Sequence, residues 1–142
     1  MGQTVKIQDV VSEEISLNDA RNMVIIYKGK PFKYFDEGCT RYVFVNEDRS
    51  KVIKLLRRDI GLNYNEEEVK IYERASDEDK AQMAKPVLHN GFVEQDFCLP
   101  IKFGGKRLTI PQKLFASSCR DEVGWTEEGT LVCFDLDEFK KY

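Results

Sequence analysis

The sequence has little of what metal sites, disulfide frameworks and membrane anchors require. Its one histidine, His89, and its four widely spaced cysteines form no zinc-ligand spacing. No apolar run approaches the about 20 residues that span a bilayer, and the N-terminus lacks the features of a signal peptide. Cys98 and Cys133 lie in apolar runs that favour buried thiols. We therefore expect a cytoplasmic chain with reduced cysteines, no metal and no membrane partner.

An excess of charge of either sign is also lacking. The 22 basic and 25 acidic residues give a net charge of −3, so a nucleic-acid partner is not expected. Of the 142 residues, 42% are hydrophobic and 33% are charged, which are values typical of globular proteins. A chain of this length can bury a core of its own, so we predict a single domain over 1–142.

Several short apolar runs, separated by turn-forming residues, predict an antiparallel sheet of about five strands. The polar stretch between Tyr42–Val45 and Val52–Leu56 predicts one hairpin, and Asn90-Gly91 between apolar runs predicts another. Met23–Tyr27 and Phe97–Phe103 are further strand candidates. Together with the helices below, these runs predict an α+β fold.

One helix is well marked, from Tyr64 to Ala75, with Asn63 as its N-cap. At 100° per residue, Glu68 shares a face with the apolar residues of this helix, whereas Glu66 and Lys70 point the other way. A buried carboxylate is costly unless a cation pairs with it. Lys54, on the preceding strand, is the expected partner of Glu68. Shorter helices are predicted after Ser16 and Ser76.

The segment with KVIK and EEEVKIY resembles the small lobe of protein kinases, where a lysine on the third strand precedes a helix carrying a glutamate. Lys54 and Glu68 match these two residues. The stretches GCTRYVFV, KVIKLL and GLNYNEEEVKIY are also similar to small uncharacterised phage-encoded proteins with kinase-like N-terminal regions. The resemblance implies a kinase-like core over 23–105, an N-terminal extension over 1–22 and a divergent segment over 106–142.

Departures from the kinase pattern concern the phosphate-binding turn and the large lobe. Aligned on Val43, the three glycine positions of that turn hold Asp36, Gly38 and Arg41, so only the middle glycine is kept. The residues after Glu68 contain no recognisable catalytic loop. Asp135 and Asp137 could bind Mg²⁺, but aspartates at this position are more simply explained as a helix start.

Two functions remain open. The leading hypothesis is a non-catalytic kinase-like module, of phage or mobile-element type, that binds or inhibits a host protein. In it Lys54 and Glu68 form a structural ion pair, and the sheet edge, Trp125, Arg57 and Arg58 are candidate contact residues. The alternative is a minimal phosphotransferase that binds Mg-ATP through four residues: Gly38, Arg41, Lys54 and Glu68. Arg41 could also be a solvated turn residue.

Overall fold

The computed structural model of the chain describes residues 3–11, 15–37, 41–57, 63–104, 107–136 and 139. In these ranges the chain forms ten strands and six helices, which makes it an α+β protein. The strands are β1 (Gln3–Lys6), β2 (Met23–Tyr27), β3 (Lys30–Glu37), β4 (Arg41–Asn46), β5 (Lys51–Leu56), β6 (Pro86–His89), β7 (Phe92–Asp96), β8 (Leu99–Pro100), β9 (Val123–Trp125) and β10 (Leu131–Cys133). The helices are α1 (Ile7–Val10), α2 (Leu17–Arg21), α3 (Tyr64–Arg74), α4 (Asp77–Lys80), α5 (Ile101–Gly104) and α6 (Ile110–Ser118). Of the helices described, none is long and apolar enough to cross a membrane.

The residues group into two compact units, each built from two separate stretches of chain. The first unit combines Met1–Glu66 with Val87–Phe97, and the second combines Glu67–Pro86 with Cys98–Tyr142. These boundaries differ from the divisions at 22 and 105 inferred from the sequence. That the whole chain is one domain stays a prediction.

The main sheet has seven strands, in the order β1-β2-β3-β4-β5-β7-β6, rather than the about five expected. The pairs from β2 to β5, and that of β5 with β7, are antiparallel. β1 instead pairs with β2 in parallel, so the sheet is mixed. β1 was missed because its four residues are mostly exposed and show no apolar alternation. Both predicted hairpins, β4 with β5 and β6 with β7, are present as neighbouring strands.

The core of the first unit lies on one face of this sheet. Alternate residues of the central strands supply it, because successive side chains of a strand point to opposite faces. The helices α1 and α2 cover it with Ile7, Val10 and Ala20. Its buried strand residues include Ile25, Phe32, Tyr42, Phe44, Ile53, Leu55 and Phe92.

Local capping explains where the helices begin. The hydroxyl oxygens of Ser16 and Ser76 accept hydrogen bonds from the amides of Asp19 and Asp79, each over 3.1 Å. The side-chain oxygen of Asn63 accepts one from the amide of Glu66 over 3.1 Å. These bonds satisfy amide groups that a helix start leaves unpaired. The predicted starts of α2, α3 and α4 are confirmed, and α3 ends one residue earlier than expected.

The second unit contains the small antiparallel sheet β10-β9-β8 and a separate core. Of the predicted strand Phe97–Phe103 only Leu99–Pro100 is a strand, because Phe97 and Cys98 precede it and Ile101–Gly104 forms α5. Pro111 lies in the first turn of α6, where no amide partner is lost. Thr109 and Gln112 form a capping box that starts α6.

Candidate functional site

The face of the main sheet opposite the apolar core carries Lys54, one of the candidate residues predicted from the sequence. Lys54 lies in the middle of β5, directly between Val43 of β4 and Val93 of β7. Arg41 begins β4 two residues before Val43 and therefore points to the same face. The exposed fraction is 3% for Lys54 and 4% for Arg41. Gln95, opposite Val52, is a further buried polar residue of this face.

Asn65, in the first turn of α3, connects the two cationic residues. Its side-chain Oδ1 accepts a hydrogen bond from the Arg41 guanidinium over 3.4 Å. Its Nδ2 donates to the backbone carbonyl of Lys54 over 3.3 Å. Asn65 is itself 2% exposed. Burying a guanidinium and an amide is tolerable only with hydrogen-bond partners, so this three-residue arrangement fixes the start of α3 against β4 and β5.

Arg41 therefore belongs to a buried strand position, and its interpretation as a solvated turn residue is wrong. Sequence reasoning did not single out Asn65 as a site residue. Its position three residues before Glu68, on the same side of a helix, was the available signal. Gly38, which was expected to accompany Arg41 at a phosphate, lies outside the described residues.

Arg57 follows β5 and is half-buried. Its guanidinium carbon lies 5.4 Å from the centre of the Tyr42 ring, a distance at which cation and ring attract each other. The Tyr42 hydroxyl donates to the carbonyl of Ile15 over 2.9 Å. Arg57 thus packs on its own unit. Arg58, the other arginine expected at a contact surface, lies outside the described residues.

Glu68 belongs to the second unit and is completely buried, as its helical face predicted. Its Oε2 accepts a hydrogen bond from the backbone amide of Leu136 over 2.9 Å. Leu136 is 1% exposed and follows Asp135 directly. The carboxylate therefore fixes the chain just after β10, a role that no sequence pattern indicated. Its ion pair with Lys54, a residue of the first unit, stays a prediction.

Asp135 is half-buried, and its carbonyl oxygen accepts a hydrogen bond from the Cys133 thiol over 3.1 Å. Asp137 lies outside the described residues. Within the ranges that the structure describes, there is no group of three or more histidine, cysteine, aspartate or glutamate residues that could hold a metal ion. The described part of the chain thus offers no assembled magnesium site around Asp135.

The cysteines of the second unit are buried, free thiols. Cys98, Cys119 and Cys133 are 6%, 0% and 0% exposed. The pKa of the Cys133 thiol lies well above its ordinary value. The largest cause is a hydrogen bond with the Cys119 side chain, and the second is burial. Since the thiolate is the reactive form, Cys133 is an unreactive core residue. The expectation of buried thiols at Cys98 and Cys133 is confirmed.

Trp125 ends β9, where it is paired with Leu99 of β8 and Leu131 of β10. It is half-buried and packs on the second core, which includes Val123 and Cys119. Its large ring therefore stabilises this unit and leaves only part of its surface for a partner. As a contact residue Trp125 stays a prediction.

A cluster of three titratable residues that the sequence did not reveal lies in the first unit. The Tyr27 hydroxyl donates to Oε1 of Glu94 over 3.1 Å, and Nε2 of His89 lies 2.9 Å from the same oxygen. Phe92 stacks on the His89 ring, with 4.8 Å between the ring centres. The pKa of Tyr27 is raised above 10.0, mainly by burial and to a smaller extent by the charge of Glu94. Tyr27 is 67 positions away from Glu94 in the chain, so no local motif could have found this cluster.

The strand at one end of the main sheet exposes apolar side chains. β6 is the last strand in the sheet order. Its residues Val87 and Leu88 are 44% and 43% exposed. Exposed apolar residues on an edge strand favour the addition of a strand from another chain.

In comparisons with known proteins, the sequence matches no protein-family model and no curated protein.

Proposed function

We propose that the chain is a non-catalytic kinase-like module that binds another protein in the cytoplasm. In this proposal it is of phage or mobile-element type and binds or inhibits a host factor. The observation that carries the proposal is the burial of the two cationic residues that nucleotide binding would use. Lys54 and Arg41 are 3% and 4% exposed, so they present almost no surface to a ligand and act in holding the fold together.

The order of elements around Lys54 supports the kinase-like part of the proposal. β3, β4 and β5 are three consecutive antiparallel strands, and Lys54 lies on the third of them. The helix that follows is α3, which carries Glu68. A lysine on a third strand followed by a helix with a glutamate is the arrangement that the resemblance implies.

The edge strand β6 supports the binding part of the proposal. Val87 and Leu88 are adjacent on the strand, so their side chains point to opposite faces, yet both are exposed. A partner that adds a strand here would gain backbone hydrogen bonds along β6 and would cover both side chains. We propose β6 as the main contact element, in preference to the half-buried Trp125.

Affinity capture tests this proposal. The wild-type chain and the double variant Val87→Asp, Leu88→Asp are used to capture proteins from lysates of candidate hosts. A partner retained by the wild type and lost by the variant is the expected result, because charges on an edge strand oppose strand addition. The double variant Ile110→Asp, Leu114→Asp replaces a more exposed apolar pair on α6 and serves as the control. Equal capture by wild type and the β6 variant would contradict the proposal.

One observation favours the second candidate, a nucleotide-binding phosphotransferase. Arg41 and Lys54 point to the same face of the sheet, beside Asn65, which is a suitable pair of cations for a phosphate. Thermal unfolding with and without Mg-ATP tests it. A nucleotide at 100 times its dissociation constant stabilises a protein by about 2.7 kcal/mol. For a nucleotide-binding protein, the wild type should show this shift and Lys54→Met should lose it. An unchanged melting temperature in the wild type excludes this function.

A further inference from the structure

The second unit contains a stretch of unusual charge, which the proposed function does not use. Between Asp96 and Asp121 there are five cationic residues and no carboxylate side chain: Lys102, Lys106, Arg107, Lys113 and Arg120. The rest of the chain keeps 17 basic residues (22 − 5) and 25 acidic ones, a net charge of −8. A strongly basic stretch in an otherwise acidic protein is typical of a surface that meets an anionic partner.

The same stretch exposes large apolar side chains. Phe103 of α5 is 56% exposed, and Ile110 and Leu114 of α6 are 75% and 52% exposed. Ile110 and Leu114 are four residues apart and share one side of α6, with Lys113 beside them. The opposite side of α6 packs on the second core through Phe115 and Ala116. We call residues 101–104 and 107–118 the basic-apolar segment.

We propose that the basic-apolar segment binds an anionic lipid surface. Lys102, Arg107 and Lys113 are exposed, as the headgroup contacts require. The apolar side chains would enter the boundary between headgroups and acyl chains. This goes against the sequence-based expectation of no membrane partner, which rested on the lack of a long apolar run. Peripheral binding needs no such run.

Charge alone would suit a nucleic acid or an acidic protein as well. Ile110 and Leu114, however, gain nothing from a polyphosphate chain, and within the described part of the segment Phe103 is the one exposed aromatic ring on which a base could stack. A side chain that is 75% exposed also protrudes, so a protein partner would need a matching pocket. A fluid lipid surface accepts protruding apolar groups without one. The combination of clustered cations and protruding aliphatic residues therefore favours lipid.

Cosedimentation of the full-length chain with vesicles tests the proposal. Vesicles of phosphatidylcholine mixed with phosphatidylglycerol are compared with vesicles of phosphatidylcholine alone. We expect binding to the mixed vesicles only. This binding should weaken as the ionic strength rises from about 0.1 M to about 1 M, because the screening length falls from about 10 Å to about 3 Å.

Two sets of variants separate the contributions of charge and apolar contact. The triple variant Lys102→Gln, Arg107→Gln, Lys113→Gln should lower the partition coefficient about fivefold for each charge removed. Its control replaces three exposed lysines outside the segment: Lys30→Gln, Lys33→Gln and Lys85→Gln. The double variant Ile110→Ser, Leu114→Ser should lower the partition coefficient about tenfold. The double variant Val87→Ser, Leu88→Ser is its control. The residues replaced in all four variants are exposed, so circular dichroism should show that each variant is folded.

Several outcomes would overturn the lipid proposal. The first is no cosedimentation with the mixed vesicles at low salt. A second is an equal loss of binding in the control sets, since binding would then depend on net charge or apolar exposure alone. A third is binding to an oligonucleotide that does not change in the Ile110, Leu114 variant, which would assign the segment to nucleic acid. None of these results bears on capture of a protein through β6.

Discussion

At the scale of single residues, Asn65 shows how a buried polar group can organise a fold. It accepts a hydrogen bond from Arg41 and donates one to the carbonyl of Lys54, so one amide serves a side chain of β4 and the backbone of β5. Arg41 and Asn65 are both almost completely buried. When one partner of a buried hydrogen bond is removed, the remaining polar group can lose its hydrogen bond without gaining one to water. The free-energy cost of such a group exceeds the net contribution of the original bond.

The first prediction concerns this residue. Asn65→Ala should lower the free energy of unfolding by about 1–3 kcal/mol, because Arg41 loses an acceptor and the Lys54 carbonyl loses a donor. Glu73→Ala, an exposed position of the same helix, is the control and should change it by less than about 0.5 kcal/mol. Urea unfolding of the three proteins measures both values. Equal stability of the two variants would show that the Asn65 bonds contribute nothing.

The second prediction concerns Tyr27. Its pKa in the folded chain lies above 10.0, chiefly through burial and then through Glu94. As the pH rises past the ordinary value, the unfolded chain therefore loses this proton before the folded one does. The stability that the neutral phenol contributes is present below about pH 10 and is lost above it. Tyr27→Phe should thus be less stable than wild type near neutral pH, and this difference should shrink above about pH 10.

Ultraviolet titration of the phenolate checks the cause. In Glu94→Gln the pKa of Tyr27 should fall toward 10.0 without reaching it, because removal of the charge leaves the contribution of burial. Subtraction of the Tyr27→Phe spectrum isolates this one tyrosine. An unchanged Tyr27 titration in Glu94→Gln would contradict the contact between the two side chains.

At the scale of elements, the two glycines of the tight hairpin turns differ in what surrounds them. The backbone φ angles of Gly29 and Gly91 are +74° and +91°, values that residues with a side chain rarely adopt. A Cβ on Gly29 would have no neighbour within 4 Å. A Cβ on Gly91 would lie 2.6 Å from the Cβ of Val11, so the backbone of this turn packs directly against the Val11 side chain.

This contrast gives the third prediction. Gly29→Ala should cost about 1–2 kcal/mol through its backbone conformation alone. Gly91→Ala should cost about 1–3 kcal/mol more, because the new methyl group meets Val11. The double variant Gly91→Ala, Val11→Gly should recover part of this additional loss, since it removes the clashing side chain. Thermal unfolding of the four proteins gives the values, and equal losses at the two glycines would contradict the close approach.

The elements also show how far the sequence predicts this structure. Local signals, such as the caps of α3 and α4 and the apolar runs of β4 and β5 on either side of a polar turn, were sufficient for the hairpins and the main helix. The sequence was misleading where an apolar run bends from β8 into α5. β1 has too few apolar residues for any pattern, and its place depends on pairing with β2.

The candidate site was predicted in the same uneven way. The burial of Glu68 followed from its helical face, and Lys54 followed from its place in KVIK. The bonds of Glu68 to Leu136 and of Tyr27 to Glu94 join residues more than 60 positions apart. Such contacts depend on tertiary packing, which composition and periodicity do not encode locally.

At the scale of the whole molecule, each compact unit depends on distant parts of the chain. β5 of the first unit pairs with β7, which the chain reaches only after passing through Glu67–Pro86 of the second. The last described residues of the second unit return to Glu68, near the beginning of that unit. We therefore expect the chain to unfold cooperatively rather than one stretch at a time.

The last prediction concerns the proposed ion pair between Lys54 and Glu68. A double-mutant cycle with Lys54→Met and Glu68→Gln measures their coupling, and glutamine keeps an oxygen acceptor for the Leu136 amide. Each single variant should lose about 3–5 kcal/mol, because one buried charge is left without its partner. The double variant should lose less than the sum of the two, with a coupling of about 1–3 kcal/mol. A coupling near zero would remove the ion pair from the proposal and, with it, the structural role proposed for Lys54.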